Sequence, residues 1–406
     1  MTDVPRVVMV IQRFRPAFSG QGIQVEAIAK ALARRGVDVT IVTATSGTQR
    51  SIEVCDGYSV VRVGCDPPSL ASPTEHSRLT GPMFAARTFG YLQTAGRCDL
   101  VHVHAMTDAL YASYAWCRLH DKPLLFEMTL VGADDPLTIR RSANRFAGVR
   151  RRAFYSCDGY VAISPALQEI SREAGLPSDR VKLIPQGVDI DTFTPVDDRM
   201  SVRRDLGLPT DGPLIAFVGS LVHRKGLDVL LDAWSAIYRA HPKTRLLLVG
   251  RDNFSGHESE TAFLSDQLAR VPAAAAERIH RTGVQDDVHR YLQASDLFVF
   301  PSRREGFGTV MVEAMATGLP CVIGEQPGVT DFIFRDGSTG VVVGQEDPRA
   351  LSDAVNSLLE NGAVAAEMGR VARREAVDRF DINRIADRYI EYYRALVAGV
   401  GKRGVA

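Results

Sequence analysis

Two carboxylates, Glu305 and Glu313, bracket a Gly-Phe-Gly turn in the segment Phe298–Gly318 (FVFPSRREGFGTVMVEAMATG). A buried strand should end at Pro301, a loop should carry Glu305, and a helix should begin at about Thr309 and stop at Gly318. Gly306 and Gly308 flank Phe307. Glycines just before a helix let backbone N–H groups come close to a ligand, and the helix start adds the positive end of a dipole, which suits phosphate. Ionised carboxylates only accept hydrogen bonds, so the hydroxyls of a sugar or a ribose are fitting partners. The plain alternative is an ordinary strand–turn–helix with exposed acids, and spacing alone does not decide between the two.

Three further clusters carry chemistry. In FVGSLVHRKGLD (Phe217–Asp228) a strand ends at Gly219 and a helix begins after Gly226, leaving Arg224 and Lys225 in the loop between them. Two cations there can neutralise a diphosphate, holding a leaving group more strongly as its charge builds; a pair of solvated surface charges is the alternative. In LVHVHAM (Leu100–Met106), His102 and His104 end a strand and, with period two, face one side. Two histidines without a third ligand in sight are weak evidence for a metal, and satisfied core histidines remain open. In SGQGIQ (Ser19–Gln24), Gly20 and Gly22 precede the first long helix and permit close approach of a phosphate. A dinucleotide fingerprint does not fit: Val25 replaces the third glycine, the loop is long, and no acid ends the second strand.

These residues need strand ends to hold them. Val7–Ile11, Val37–Thr43, Leu100–Val103, Pro123–Phe126 and Tyr160–Ile163 read as apolar strands separated by helical patterns, the first helix running from about Ile23 to Arg35. A polar, Pro-punctuated stretch follows Pro185–Pro195. A second series then starts at Leu214–Val218 and continues through Arg245–Val249, Ile279–Thr282, Leu297–Phe300, Pro320–Ile323 and Gly340–Val343. Apolar strands alternating with helices predict parallel sheets covered on both faces. The expected division is 1–195, 196–380 and a closing helix at 381–406 that packs back on the first domain. Tyr389, Tyr392 and Tyr393 on that helix read as packing residues.

The E-x₇-E pattern of Glu305 and Glu313 with GFG between resembles the family 4 retaining glycosyltransferases. That resemblance implies an α/β chain of the GT-B fold, two Rossmann-like doubly wound domains facing across a cleft, with acceptor binding in the first and the nucleotide-sugar donor in the second. It implies that Glu305 contacts the donor sugar and Glu313 the nucleotide ribose, and that His104 lies near the reacting centre while His102 is structural. Arg224, Lys225 and the amides from Gly306, Phe307, Gly308 and Thr309 would hold the diphosphate. Gly219, Arg251 (in LVGR) and Val284 (in RTGV) would line the nucleotide pocket, and Gly22 would meet phosphate. Ser220 stands where the family commonly has Arg, so Arg224 takes over from within the loop. Met128 stands where many relatives have a second His, Gln186 where Asn is usual, and Pro327 and Asp331 where Gly and Glu are expected. The likeness is strongest over 180–345 and loosest over 45–95 and 128–150.

The implied reaction moves a sugar from a nucleoside diphosphate sugar to an acceptor hydroxyl with retention. No resident cofactor or metal is expected, because cations and a helix start replace one. Epimerase, phosphorylase and non-catalytic sugar-nucleotide binding are the rivals. The acceptor can be a small molecule, a lipid or a glycan. Lys plus Arg and Asp plus Glu balance at 48 each in 406 residues, so no global field attracts nucleic acid. Arg140, Arg141, Arg145, Arg150, Arg151 and Arg152 form the densest basic run, read as a solvated helix face, with an anionic membrane surface as the other reading. The six cysteines show no CxxC spacing and are expected reduced, although Cys55 and Cys65 are near enough in sequence to pair. The N-terminal apolar run is too short for a signal peptide and no run is long enough to span a bilayer, which points to the cytoplasm, with at most peripheral membrane contact.

Overall fold

The computed structural model describes residues 5–16, 19–45, 50–64, 80–143, 147–251 and 258–400. The chain divides into two compact units, Met1–Gly187 with Ile382–Ala406, and Val188–Asp381. The division thus falls at 187/188, upstream of the 195/196 boundary expected from sequence. Hydrogen bonds explain the shift. The Val188 amide donates to Phe380 O at 2.8 Å. Arg373 donates to the carbonyls of Ile190, Phe193 and Ala316 at 3.0, 2.7 and 2.8 Å. One guanidinium therefore fastens the Pro-rich stretch to the second unit. The closing helix, Ile382–Val400, belongs to the first unit and packs on the helix Gly20–Ala33.

The sheet of the first unit has the order β3-β4-β2-β1-β5-β6-β7-β8. Its strands are β1 (Arg6–Val10), β2 (Asp38–Thr45), β3 (Ser51–Cys55), β4 (Tyr58–Gly64), β5 (Leu100–His104), β6 (Leu124–Met128), β7 (Gly159–Ala162) and β8 (Val181–Leu183). The central runs are buried almost completely because both faces are covered, as their unbroken apolar character predicts. One pair departs from the all-parallel expectation: β3 runs antiparallel to β4 at the sheet edge. Asp56 and Gly57 join them with φ of 21° and 86°. Asp-Gly between two short strands is a strong hairpin signal, and the sequence reading passed over it. Cys65, its suggested partner for Cys55, lies outside the described residues. Cys98, Cys117, Cys157 and Cys321 are buried free thiols whose ionisation burial suppresses.

The second unit has the order β11-β10-β9-β12-β13-β14, all parallel. Its strands are β9 (Leu214–Val218), β10 (Arg245–Val249), β11 (Ile279–Gly283), β12 (Leu297–Phe300), β13 (Cys321–Gly324) and β14 (Val341–Val343). The order reverses direction between β9 and β12, the switch point outside which doubly wound sheets bind ligands. In the first unit the corresponding reversal lies between β1 and β5. Among the described residues no helix is long and apolar enough to cross a membrane.

Candidate active site

Residues flagged from sequence in the second unit meet at its switch point. β9 ends at Gly219, and the short turn His223–Lys225 leads into the helix Leu227–Ala240. β12 ends before Pro301, and the loop Ser302–Gly308 leads into the helix Thr309–Ala316. Gly226 lets the two loops touch: its φ is 70°, and a Cβ there would stand 1.9 Å from Pro301 O. The Arg303 amide donates to Arg224 O at 3.0 Å, tying the loops together.

One carboxylate oxygen gathers the polar groups. Glu305 Oε1 accepts from Lys225 Nζ and Ser302 Oγ, both at 2.6 Å, and Arg224 Nη1 stands 3.5 Å away. Arg224 also donates to Arg304 O at 2.8 Å. Burial alone would push the Glu305 carboxyl up, but Lys225, Arg224 and the donated hydrogen bonds together hold it below its ordinary value. Glu305 is thus an anion in a nest of cations, and Lys225 also stands 5.0 Å from the centre of the Phe300 ring.

Gly308 caps the helix Thr309–Ala316 in the left-handed conformation, φ 80°, and supplies no capping side chain. A Cβ on Gly308 would meet Met311 Cε at 2.5 Å. Phe307 is buried edge-on against Phe380, anchoring the turn. Glu313, in the same helix, makes no ion pair among the described residues, and burial pushes its carboxyl up to about 7. At the neighbouring strand ends, Arg251 O accepts from the Leu221 amide at 2.8 Å, and Val284 is exposed.

Sequence reasoning missed the clamp behind this loop. Arg303 forms a bidentate pair with Asp228 at 2.7 and 2.8 Å and also pairs with Glu346 and His223 O. Gln326 supports it from below, donating to Ser302 O at 2.8 Å. An arginine in RRE and an acid at the start of the helix Leu227–Ala240 were the available signals.

The first unit holds a second polar cluster at the ends of β5 and β6. His102 and His104 do face one side, and the β5–β6 register sets His104 opposite Glu127. Glu127 Oε2 accepts from Tyr389 Oη at 2.6 Å and lies 3.4 Å from His104 Nδ1. His102 Nδ1 is 2.9 Å from Tyr393 Oη. Tyr392 donates to Arg180 O at 2.6 Å and accepts from the Tyr160 amide at 3.2 Å. The three tyrosines therefore do more than pack: each brings a hydroxyl to a polar partner. Burial and the neighbouring His104 hold His102 well below its ordinary value, so it is neutral. Glu127 was readable as a lone acid inside the apolar strand LLFEM. Ala105, following His104, has φ 61°, a conformation that costs a non-glycine residue about 1–3 kcal/mol and that clusters at functional sites.

Other expectations for this unit are modified. Gly22 lies within the helix Gly20–Ala33, which begins before Ile23, and its amide already donates to Ser19 Oγ at 3.2 Å. A phosphate there would have to take the place of Ser19. Met128 is buried, with Ser171 Oγ 3.4 Å from its sulfur. The loop after β6, where the family likeness is loosest, is ordered by two buried aspartates. Asp134 accepts from the Thr129 and Leu130 amides and the Thr129 hydroxyl, and Asp135 from Gly132 and Thr138. Arg150 donates to Tyr111 Oη at 3.1 Å, and Arg151 donates to the carbonyls of Arg140 and Ser142 at 3.2 Å, so part of the basic run is occupied within the unit. Arg145 lies outside the described residues.

With this geometry in hand, likeness to known proteins is informative. Residues 18–192 match the family described as Glycosyltransferase Family 4, and residues 198–375 match Glycosyl transferases group 1. A D-inositol 3-phosphate glycosyltransferase of Nocardioides sp. is 30% identical, over 88% of this chain and 81% of the relative. One from Xylanimonas cellulosilytica is 29% identical over 97% of each chain. Among solved structures, Anabaena HepE in complex with UDP-glucose superposes with a TM-score of 0.76 at 21% identity, covering 96% of this chain and all of the other (100%). Sucrose-phosphate synthase from Thermosynechococcus elongatus gives 0.78 at 24%, covering 97% and 100%. The chain belongs to the family 4 glycosyltransferases, enzymes of the GT-B fold that use a nucleotide-sugar donor.

Proposed function

We propose that this enzyme moves a sugar from a nucleoside diphosphate sugar to an acceptor hydroxyl with retention of configuration and without a metal at the diphosphate. The observation that carries this reading is the meeting of Lys225 and Arg224 on Glu305 beside the start of the helix Thr309–Ala316. As the bond to the anomeric carbon breaks, negative charge builds on the leaving diphosphate. Lys225, Arg224 and the amides from Gly306 to Thr309 are already fixed to receive it, so stabilisation grows toward the transition state. Glu305 orients the sugar hydroxyls, Glu313 accepts from the ribose, and Gly219, Arg251 and Val284 line the nucleotide pocket. His104 serves the reacting end of the sugar.

The inositol phosphate enzymes among the relatives put a phosphorylated polyol first among acceptors to test. The experiment is turnover with UDP-, GDP- and ADP-sugars, each with and without D-inositol 3-phosphate, with the product's anomeric configuration read by NMR. Transfer with retention supports the reading. Isomerisation of the donor without acceptor would replace it with an epimerase, and nucleotide binding without turnover would replace it with a binding protein.

A further inference from the structure

Lys225 and Arg224 can serve a diphosphate only from fixed positions, and a residue outside the expected site fixes the loops that carry them. Arg303 lies in the loop after β12, just ahead of Glu305. Its amide donates to Arg224 O at 3.0 Å, and its guanidinium reaches the loop after β9. There Nη1 donates to His223 O and, at 2.7 Å, to Asp228 Oδ1, while Nη2 donates to Asp228 Oδ2 at 2.8 Å. On its other side Nε and Nη2 donate to Glu346, in the loop after β14. Gln345 closes the frame, its Nε2 donating to Arg303 O at 3.2 Å and to Glu325 O, after β13, at 2.6 Å. The loops that follow β9, β12, β13 and β14 therefore meet around Arg303.

A guanidinium carries five N–H groups, and here every one is taken. None is left for a phosphate or sugar oxygen, so Arg303 acts on neighbouring protein groups and not on a ligand. Its planar fork matches the Asp228 carboxylate, a geometry that a lysine does not reproduce. The Arg303 and Asp228 side chains are only 15% and 19% exposed, so salt screens this pair less than a surface pair. His223 opens the short turn His223–Lys225, and Asp228 lies in the first turn of the helix that follows it. Holding both pins that turn from either end. Charge preorganised for a leaving group must not move at the moment of reaction, and a misplacement of about 1 Å can cost about 100-fold.

We propose that Arg303 is a positioning residue of the donor site: through His223, Asp228 and Arg224 O it sets Lys225 and Arg224 where they receive the diphosphate. This rests on the reading of Lys225 and Arg224 as diphosphate ligands. Asp228 is the principal anchor, because its carboxylate takes the bidentate fork in a sheltered place. Glu346, 59% exposed, is the lesser one.

The test is calorimetry on the full chain with UDP, GDP and ADP, each compared with its nucleoside monophosphate. The preference for the tightest diphosphate over its monophosphate reads the contacts to the second phosphate. Arg303→Lys should lower that preference by about 10-fold and leave monophosphate affinity within about 3-fold, the scale of one displaced charge-assisted hydrogen bond. Asp228→Asn should act in the same direction more weakly, and Glu346→Gln least. In a Lys225→Ala chain, Arg303→Lys should have a smaller effect than in the unaltered chain, because it acts through the lysine. Where Arg303→Lys does not fold, Asp228→Asn carries the same comparisons. Equal loss of both affinities would make Arg303 a general support of the fold and overturn the proposal. A preference kept in Arg303→Lys but lost in Lys225→Ala overturns it too, and leaves the diphosphate reading standing. A preference undiminished in Lys225→Ala overturns that reading, and the positioning role with it.

Discussion

Glu305 and Glu127 are both buried carboxylates at strand ends beside a switch point, yet their surroundings differ in kind. Glu305 has a lysine and a serine hydroxyl at 2.6 Å and an arginine at 3.5 Å. Glu127 has one tyrosine hydroxyl at 2.6 Å, with two imidazoles at 3.4 and 3.7 Å that make no hydrogen bond to it. The first cluster is electrostatically complete and sits on two loops that hydrogen bonds tie together. The second is incomplete and sits on strands, where register fixes every side chain. A loop cluster of fixed cations is suited to charge that develops during a reaction; in a strand cluster the register alone sets which side chains meet.

The largest expected effect tests the completeness of the first cluster. Glu305→Gln should cost about 3–5 kcal/mol of stability in denaturant unfolding, because it leaves a buried lysine without its anion. A loss under 1 kcal/mol would mean that the ion pair is not buried as described. Next, Lys225→Ala should lower kcat for transfer by about 10²–10³-fold, the usual effect of removing one donor to developing charge. A change confined to KM would assign Lys225 to ground-state binding and blur the contrast between the two clusters.

A smaller effect concerns Glu313, whose carboxyl burial pushes up to about 7. If Glu313 holds the ribose as proposed, its ionised form is the stronger acceptor, so donor affinity should fall several-fold from pH 8 to pH 6, and Glu313→Gln should flatten that profile. The stability sign runs the other way. The folded value lies above the unfolded one, so ionisation costs stability as pH rises from about 4.5 to 7. Glu313→Gln should therefore raise the melting temperature at pH 8 and leave it nearly unchanged at pH 4. The smallest effect is expected from Glu127→Gln, a cost within about 1 kcal/mol, since the amide oxygen can still accept from Tyr389. A larger cost, measured in the same denaturant experiment, would show that the surrounding imidazoles depend on the Glu127 carboxylate.

The amino-acid sequence by itself determined the two series of alternating strands and helices, because apolar runs buried on both faces and helical periodicity are local properties. It also singled out Arg224, Lys225, Glu305, Gly308 and Glu313, since glycines and charges at strand ends declare themselves within one loop, and the fold brings Arg224 and Lys225 onto Glu305. Only the tertiary structure decided what depends on residues far apart in the chain. Arg373 moved the domain boundary by reaching Ile190 and Phe193. Arg303 joined Asp228 and Glu346 across two loops. Tyr389 and Tyr393 met Glu127 and His102 from the far end of the sequence. Ser19 claimed the Gly22 amide that a loop would have left open. Each of these is a hydrogen bond whose partner is chosen by packing geometry, and no spacing along the chain encodes that choice.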